Sequence, residues 1–223
     1  MAESKVSVYY MLRRSITNLV YAPGQVLDIN SISDELGVSR SPVRDALLRL
    51  ASEKLVNVFP QKGTRVSLLN RNIIYQERFM RITLELGILE QCLKNLSDPE
   101  KRHAFVTKLK GLLLAQHASV LDNDKIAFLK YDDDMHHLLY TQAECEWIWE
   151  TLVSKTGNDH RVRLLSYKTS GISEKVKVEH KELIDAISIG DIELAKKLDR
   201  NHLERLYDEI NVLRESFPEY FEK

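Results

Sequence analysis

The sequence predicts a mainly α protein in two parts, an N-terminal winged helix-turn-helix with a small β-hairpin over residues 1–70 and a C-terminal all-α bundle of six or seven helices over residues 71–223. Three observations carry this. Residues 32–66 read as helix, turn, helix and hairpin in direct succession. From Ile73 onward apolar residues recur at helical spacing, and β-prone runs between turn signals are missing. Charge divides at the same place: residues 1–70 hold 9 Lys+Arg against 6 Asp+Glu, net +3, whereas residues 71–223 hold 23 against 27, net −4.

The first helix is expected over residues 6–20, with Val8, Met11, Leu12, Ile16, Leu19 and Val20 on its apolar face, ended by Ala22-Pro23-Gly24. A short helix follows and closes at Leu36, where Gly37 supplies the break. Ser39 or Ser41 suits the cap of the next helix, and Pro42 suits its first turn. Val43, Ala46, Leu47 and Leu50 then recur at i, i+3, i+4 and i+7, leaving Arg44, Asp45, Leu48 and Arg49 outside the apolar stripe and Arg40 at the entrance. Such a helix pair puts its second helix in a DNA major groove, with the first residues nearest the base edges. Residues 55–59 and 64–68 are strand-like runs joined by Pro60-Gln61-Lys62-Gly63, a wing whose tip would meet phosphate or a minor groove. Scattered arginines on a helix pair also fit plain core packing; helix, turn, helix and wing together favour DNA binding. The candidate contacts are Ser39, Arg40, Ser41, Arg44, Arg49, Lys62 and Gly63.

Asn70-Arg71-Asn72 reads as a short linker. Helices are then expected over residues 73–96, 100–121 opened by Pro99, 124–143, 146–167 with an interruption near Gly157-Asn158, 173–189 and 191–215. Gly190 is a C-terminal stop and Asp191 the next N-cap.

At 223 residues the chain has length for two domains, and 43% hydrophobic with 29% charged residues is an ordinary globular balance. No apolar run of membrane-spanning length and no basic-then-apolar leader pattern is present, so a cytoplasmic protein is expected. Cys92 and Cys145 have no metal spacing and read as buried thiols of a reducing compartment. With a net charge of −1, any grip on phosphate must come from placement of basic residues.

All 7 histidines lie in the second part. Asp132 and His136 share a helix face, and Phe128, Leu129, Met135 and Leu139 fall within about 60° of Asp132 at 100° per residue. The pair therefore sits on a buried stripe, where an isolated charge is costly. His180 and His202 are equidistant from residue 191, the turn of an expected antiparallel hairpin, and so stand at one height. One aspartate and three histidines make a suitable shell for zinc or nickel with open positions. Each histidine alone would be better read as a hydrogen-bonded core residue; two independent geometric arguments favour a metal. A metal-dependent hydrolase fused to a DNA-binding module is the alternative, and it needs a general base near the metal. Asp133 and Glu179 are adjacent in sequence but turned away from the ligand face, and His103, His117 and His160 carry no assignment.

Residues 8–68 resemble the N-terminal winged-helix domain of GntR-family bacterial transcription regulators, on Ala22-Pro23-Gly24, Gly37-Val38-Ser39-Arg40, Pro42-Val43-Arg44-Asp45-Ala46-Leu47 and Gly63-x-x-Val66. Asp45 stands where that family usually has glutamate, and Ile29 and Asn30 where it has an acidic residue and often an arginine. The resemblance implies operator contacts by Arg40 and Arg44. Residues 73–213 resemble the FadR-type (FCD) ligand-binding domain of the same regulators. Asp132-x-x-Met135-His136 is similar to its Asp-x-x-Phe-His, and Glu179-His180 and Asn201-His202-Leu203, flanking Gly190-Asp191, are similar to its later histidines. This implies a divalent metal at Asp132, His136, His180 and His202, with a small carboxylate effector completing its coordination. Arg81-Ile82-Thr83-Leu84-Glu85 is similar to the family's Arg-x-x-Leu-Glu and implies that Arg81 offers the effector a bidentate fork; a surface arginine paired with Glu77 or Glu85 is the other reading. The resemblance further implies a homodimer on palindromic operator DNA, a regulator and not an enzyme, and repression relieved by effector.

Overall fold

The structure, a computed structural model, describes residues 2–169 and 171–223, with side chains from Val8 onward. Helix α1 (Ala2–Thr17) leads through β1 (Val26–Leu27) into α2 (Ile29–Leu36), α3 (Arg40–Ser52), β2 (Val56–Phe59) and β3 (Gly63–Val66). β3 is central in the small antiparallel sheet, with Val56 opposite Val66 and Phe59 opposite Gly63. Helix α1 ends earlier than residue 20 because Leu19 takes left-handed backbone, φ 57°. Val20 and Met11 are exposed, and Tyr9 joins Val8, Leu12 and Ile16 on the buried face. The Asp28 carboxylate caps α2 by accepting from Ser31 N at 2.9 Å. Gly37, at φ 62°, closes it with an N–H to the Asp34 carbonyl, in left-handed backbone that favours glycine. Ser39 occupies the cap position of α3 as expected, yet its hydroxyl makes no capping bond.

The second part contains α4 (Arg71–Asn95), α5 (Pro99–Leu121), α6 (Lys125–Gln142), α7 (Glu146–Lys155), α8 (Gly157–Tyr167), α9 (Ile172–Ile189) and α10 (Ile192–Ser216), then a 3-10 turn over Pro218–Tyr220. The interruption expected near Gly157 is real and separates α7 from α8. Its glycine has a packing reason: a Cβ there would lie 2.9 Å from Leu55 Cδ2 of the winged unit. Residues 71 and 72 are not linker. Asn70 accepts from Ile73 N at 3.1 Å and caps α4, drawing both into the first turn. Leu69 is itself clasped by the C-terminal segment: its N–H donates to Tyr220 O at 2.8 Å, and its carbonyl accepts from Glu222 N at 3.1 Å.

Separate apolar cores fill the two parts, one around Val43, Leu47, Leu50 and Leu55, the other around Leu89, Phe105, Leu109, Leu139 and Ile184. Cys92 is buried and its thiol is pushed up to about 12 by that burial, while Cys145 is only half-buried. Among the described residues no helix is long and apolar enough to cross a membrane.

Candidate metal centre and nucleic-acid interface

Helix α6 carries Asp132 and His136 one turn apart on its buried face. The α9–α10 hairpin turns at Gly190, φ 75°, and Asp191, whose carboxylate accepts from Leu194 N at 2.9 Å. That turn brings His180 and His202 level. His180 Nε2 lies 3.3 Å from His202 Nε2 and 3.5 Å from Asp132 Oδ1, and His136 Nε2 lies 3.8 Å from Asp132 Oδ2. All four residues are buried, with ligand atoms within 4.8 Å of one another.

The backs of the rings matter as much as the fronts. His136 Nδ1 faces the Glu85 carboxylate, His180 Nδ1 faces Gln116 Oε1 at 2.9 Å, and His202 Nδ1 faces Glu179 Oε2 at 2.8 Å. Each of these partners accepts, so each Nδ1 carries the proton and each Nε2 turns a lone pair inward. Three lone pairs meeting in a buried space repel unless a cation lies among them, and His136 Nε2 has no hydrogen-bond partner among the described residues. Burial, then His202 beside it, pushes His180 well below the usual imidazole range; burial, then His136, does the same to His202. For Asp132 burial would act upward, but Arg163 and then His180 hold it well below the usual carboxylate range. One carboxylate with three inward ring nitrogens is a donor set that fits a divalent cation.

Three residues around this centre were not singled out from the sequence. Arg163 donates to both Asp132 and Asp133, the latter at 2.7 Å, and Tyr167 Oη donates to Asp132 Oδ1 at 3.0 Å. Gln116 had a readable signal, since Phe105, Leu109, Leu112 and Gln116 form one helical stripe ending in a polar residue. Glu179 was set aside as turned away, and it does face away from the ligand atoms, yet the symmetry that pairs His180 with His202 also sets it behind His202. Nothing marked Arg163, because α8 is buried on nearly every side and shows no periodic face. A neighbouring cluster of Glu85, His136 and Asp199 also has its ligand atoms within 4.8 Å of one another. Burial, then Glu85, holds Asp199 well above the usual carboxylate range.

Arg81 is buried and not on the surface, although it does make the pair with Glu85 that the other reading expects. Its Nε donates to Glu85 Oε2 at 3.2 Å, its Nη1 is 3.8 Å from Asp159 Oδ2, and its Nη2 has no hydrogen-bond partner among the described residues. The pocket it lines contains none of Asp132, His136, His180 and His202, so the structure does not bring Arg81 and that cluster to one cavity. Arg163 connects them: it lines that pocket and also holds Asp132.

On the winged unit Ser39, Arg40, Ser41, Arg44, Arg49, Lys62 and Gly63 are all exposed. Gln61 at φ 61° and Gly63 at φ 89° form the wing tip, where Lys62 N donates to Phe59 O at 3.1 Å. Arg49 is the least free of the set. Its guanidinium lies 3.6 Å from the centroid of the Tyr9 ring, and its Nε is 4.0 Å from Glu53 Oε1. Arg65, on the exposed face of β3, was not singled out, although Thr64 and Val66 on either side are buried.

Helix α8 holds the two parts together. Buried Arg161 donates to Ser67 O at 2.8 Å and to Asn158, and Asn158 Nδ2 and Asp159 N donate to the Glu77 carboxylate at 2.7 and 2.8 Å. Burial pushes Glu77 up to about 7 against those hydrogen bonds. Arg13 of α1 donates from Nε to Glu53 Oε2 at 2.9 Å and from Nη2 to Val153 O at 2.5 Å. His160 Nε2 lies 3.3 Å from Asn18 Oδ1.

Residues 5–66 match the family described as "Bacterial regulatory proteins, gntR family", and residues 78–205 match the FCD domain. An HTH-type transcriptional regulator in an unstable DNA locus of Streptomyces ambofaciens is 33% identical over 96% of this chain and 88% of its own length. The HTH-type transcriptional repressor RspR of Escherichia coli is 24% identical over 96% of this chain and 92% of its own length. Among solved structures, E. coli McbR/YncC superposes with a TM-score of 0.79 at 18% identity, covering 97% of this chain and all of that one, a likeness of fold.

Proposed function

The chain belongs to the GntR family of bacterial regulatory proteins, with an FCD domain behind its winged helix, and for this DNA-binding transcription regulator we propose a homodimeric repressor acting on palindromic operator DNA. Its families and relatives are transcriptional regulators and not enzymes, so the hydrolase reading is dropped. In our reading residues 1–70 bind DNA through Arg40, Arg44 and Lys62, with Ser39, Ser41, Arg49 and Gly63 beside them. Residues 71–223 bind a metal, an effector and the second subunit, and the protein works in the cytoplasm.

The observation that carries the sensing role is the convergence of three inward Nε2 atoms on Asp132, each ring anchored from behind by its own acceptor. Asp132, His136, His180 and His202 would hold zinc or nickel. A divalent ion there balances the Asp132 charge and ties α6 to the α9–α10 hairpin. The effector is a small carboxylate recognised by Arg81, whose buried guanidinium keeps one donor in reserve. Arg163 relates effector to metal, because it touches the effector pocket and Asp132 alike. Repression is relieved when the effector favours a relative orientation of the two winged units that no longer fits two half-sites about 34–36 Å apart.

Elemental analysis together with gel shifts on the gene's own promoter tests this. About one divalent ion per chain is expected, lost in the His180→Ala/His202→Ala protein. Equal metal in both proteins would remove the centre, and carboxylates that bind tightly without moving operator affinity would remove the sensor.

A further inference from the structure

Resting on the metal reading above, we propose that the ion enters and leaves its centre through the groove between α9 and α10, with His202 as the ligand that swings and the Glu179–Arg205 pair as the latch over it. The four ligand residues are closed in from nearly every side. His136, His180 and Asp132 are at most 1% exposed, and His202 is 6% exposed. The acceptors behind His136 and His180 are equally inaccessible: Glu85 is 0% and Gln116 1% exposed. Behind His202 stands Glu179, a half-buried side chain that lines an open groove of about 540 Å³ with Lys175, Glu204, Arg205 and Asp208. A single carboxylate thus separates the groove from a ligand ring.

Charge distinguishes this route from the one behind Asp132. That way leads past buried Arg163 into the space lined by Arg13, Arg81 and Arg163, about 30 Å³ and room for little more than a water. A divalent cation meets three guanidinium groups there and one carboxylate, Asp133. The α9–α10 groove presents three carboxylates, Glu179, Glu204 and Asp208, against Lys175 and Arg205. Arg205 is already committed to acids: its Nε donates to Glu179 Oε2 at 3.0 Å, and its Nη1 donates to Glu209, which also accepts from Ser166 Oγ of α8.

The latch works through one atom. Glu179 Oε2 accepts from His202 Nδ1 at 2.8 Å and from Arg205 Nε at 3.0 Å, so the arginine holds the carboxylate that holds the ring. When Glu179 turns into the groove, water replaces its partners and the His202 ring loses its outer anchor. The ring then rotates Nε2 outward to collect or release an ion, while Asp132, His136 and His180 stay fixed. Opening this side breaks a pair already in contact with solvent, so it costs little beside moving any other ligand.

The test uses full-length, metal-free protein and cobalt(II), whose visible absorption reports coordination by imidazole. Stopped-flow mixing gives the association rate, displacement by EDTA gives the dissociation rate, and melting temperature reports folding. A group that only bars a path slows both directions alike, whereas one that only aims a ligand acts on affinity, chiefly through dissociation. Arg205→Ala should therefore raise both rates roughly tenfold while moving their ratio by less than about threefold. Arg205→Lys, which keeps a contact to Glu179 but loses the fork, should fall between it and the wild type. Lys175→Glu, at the exposed mouth of the groove, should speed association at low salt, lose that gain at high salt and leave dissociation unchanged. Faster dissociation alone in both Arg205 variants would make Arg205 a positioning residue for Glu179 and overturn the latch. Association unmoved in Lys175→Glu but accelerated in Arg13→Ala would shift the route to the seam pocket and overturn the inference while leaving the metal centre intact. No cobalt binding by the folded wild type would instead remove the metal reading beneath it.

Discussion

His180 and His202 meet Nε2 to Nε2 at 3.3 Å, each ring held from outside by a different acceptor, Gln116 on one side and Glu179 on the other. This makes the orientation of the rings separable from their presence. Gln116→Leu and Glu179→Ala leave all four ligand residues in the chain but remove the partners that aim them. Metal affinity should fall about 10–100-fold in each, as second-sphere losses do. Competition titration with a chromophoric chelator measures this. Stripping the ion should also lower the melting point, since a ligand at about 1,000 times its Kd stabilises the folded state by about 4 kcal/mol.

The recognition helix makes a prediction that is independent of the metal. Arg44→Ala should cost about 1–3 kcal/mol of operator binding if it reads a base edge, and relax specificity at one position. Lys62→Ala should weaken all sequences alike and lower the salt slope by about 1, as loss of a phosphate contact does. Arg49→Ala should behave differently from both and lower thermal stability too, because its guanidinium stacks on Tyr9. Fluorescence anisotropy across a salt series distinguishes the three.

What could be read in advance follows from how local each feature is. The helix breaks at Gly37, Gly157 and Gly190, the cap at Asp191 and the helix start at Pro99 are written within a few residues, and they set the order of helices in both parts. His180 and His202 were legible because one hairpin relates them, and Asp132 because it interrupts an apolar stripe. Arg163 was not, since its partners sit on another helix and its own helix is buried on nearly every side. Arg13 was not for the same reason: its contacts, Glu53 and Val153, lie far along the chain in two different units. The extent of α1 was misjudged because the backbone of Leu19, a residue with no turn preference, ends it.

Two glycines on helices should respond oppositely to alanine. At Gly157 the new methyl would meet Leu55 at 2.9 Å across the seam, and overpacking there should destabilise by about 1–3 kcal/mol. At Gly111, exposed in α5 with nothing within 4 Å of the added Cβ, alanine should stabilise by about 0.5–1 kcal/mol. Chemical denaturation of the two variants in parallel checks the sign of each.

Glu77 should make stability depend on pH at the seam. Its folded-state value of about 7 lies above the ordinary 4.5, so between those values the folded protein holds a proton that the unfolded chain has released. Its contribution is therefore present below about pH 4.5 and is lost as pH rises through about 7, an upper limit of about 3 kcal/mol. Against a Glu77→Gln protein, which cannot ionise, the wild type should lose relative stability across that window. A constant difference from pH 5 to 8 would mean that Glu77 is already charged, held so by Asn158 and the Asp159 amide.

The clasp of Leu69 by Tyr220 and Glu222 has a consequence in time. On a ribosome, the winged unit emerges before the helical bundle and holds within itself the residues of its own core. The strand segment that fastens its exit emerges only after every helix of the bundle. A nascent chain therefore passes through a stage in which the winged unit is complete and the fastening does not yet exist. A message cut just after Ser216 would arrest the protein at that stage, with both apolar cores complete in sequence and only the clasp missing.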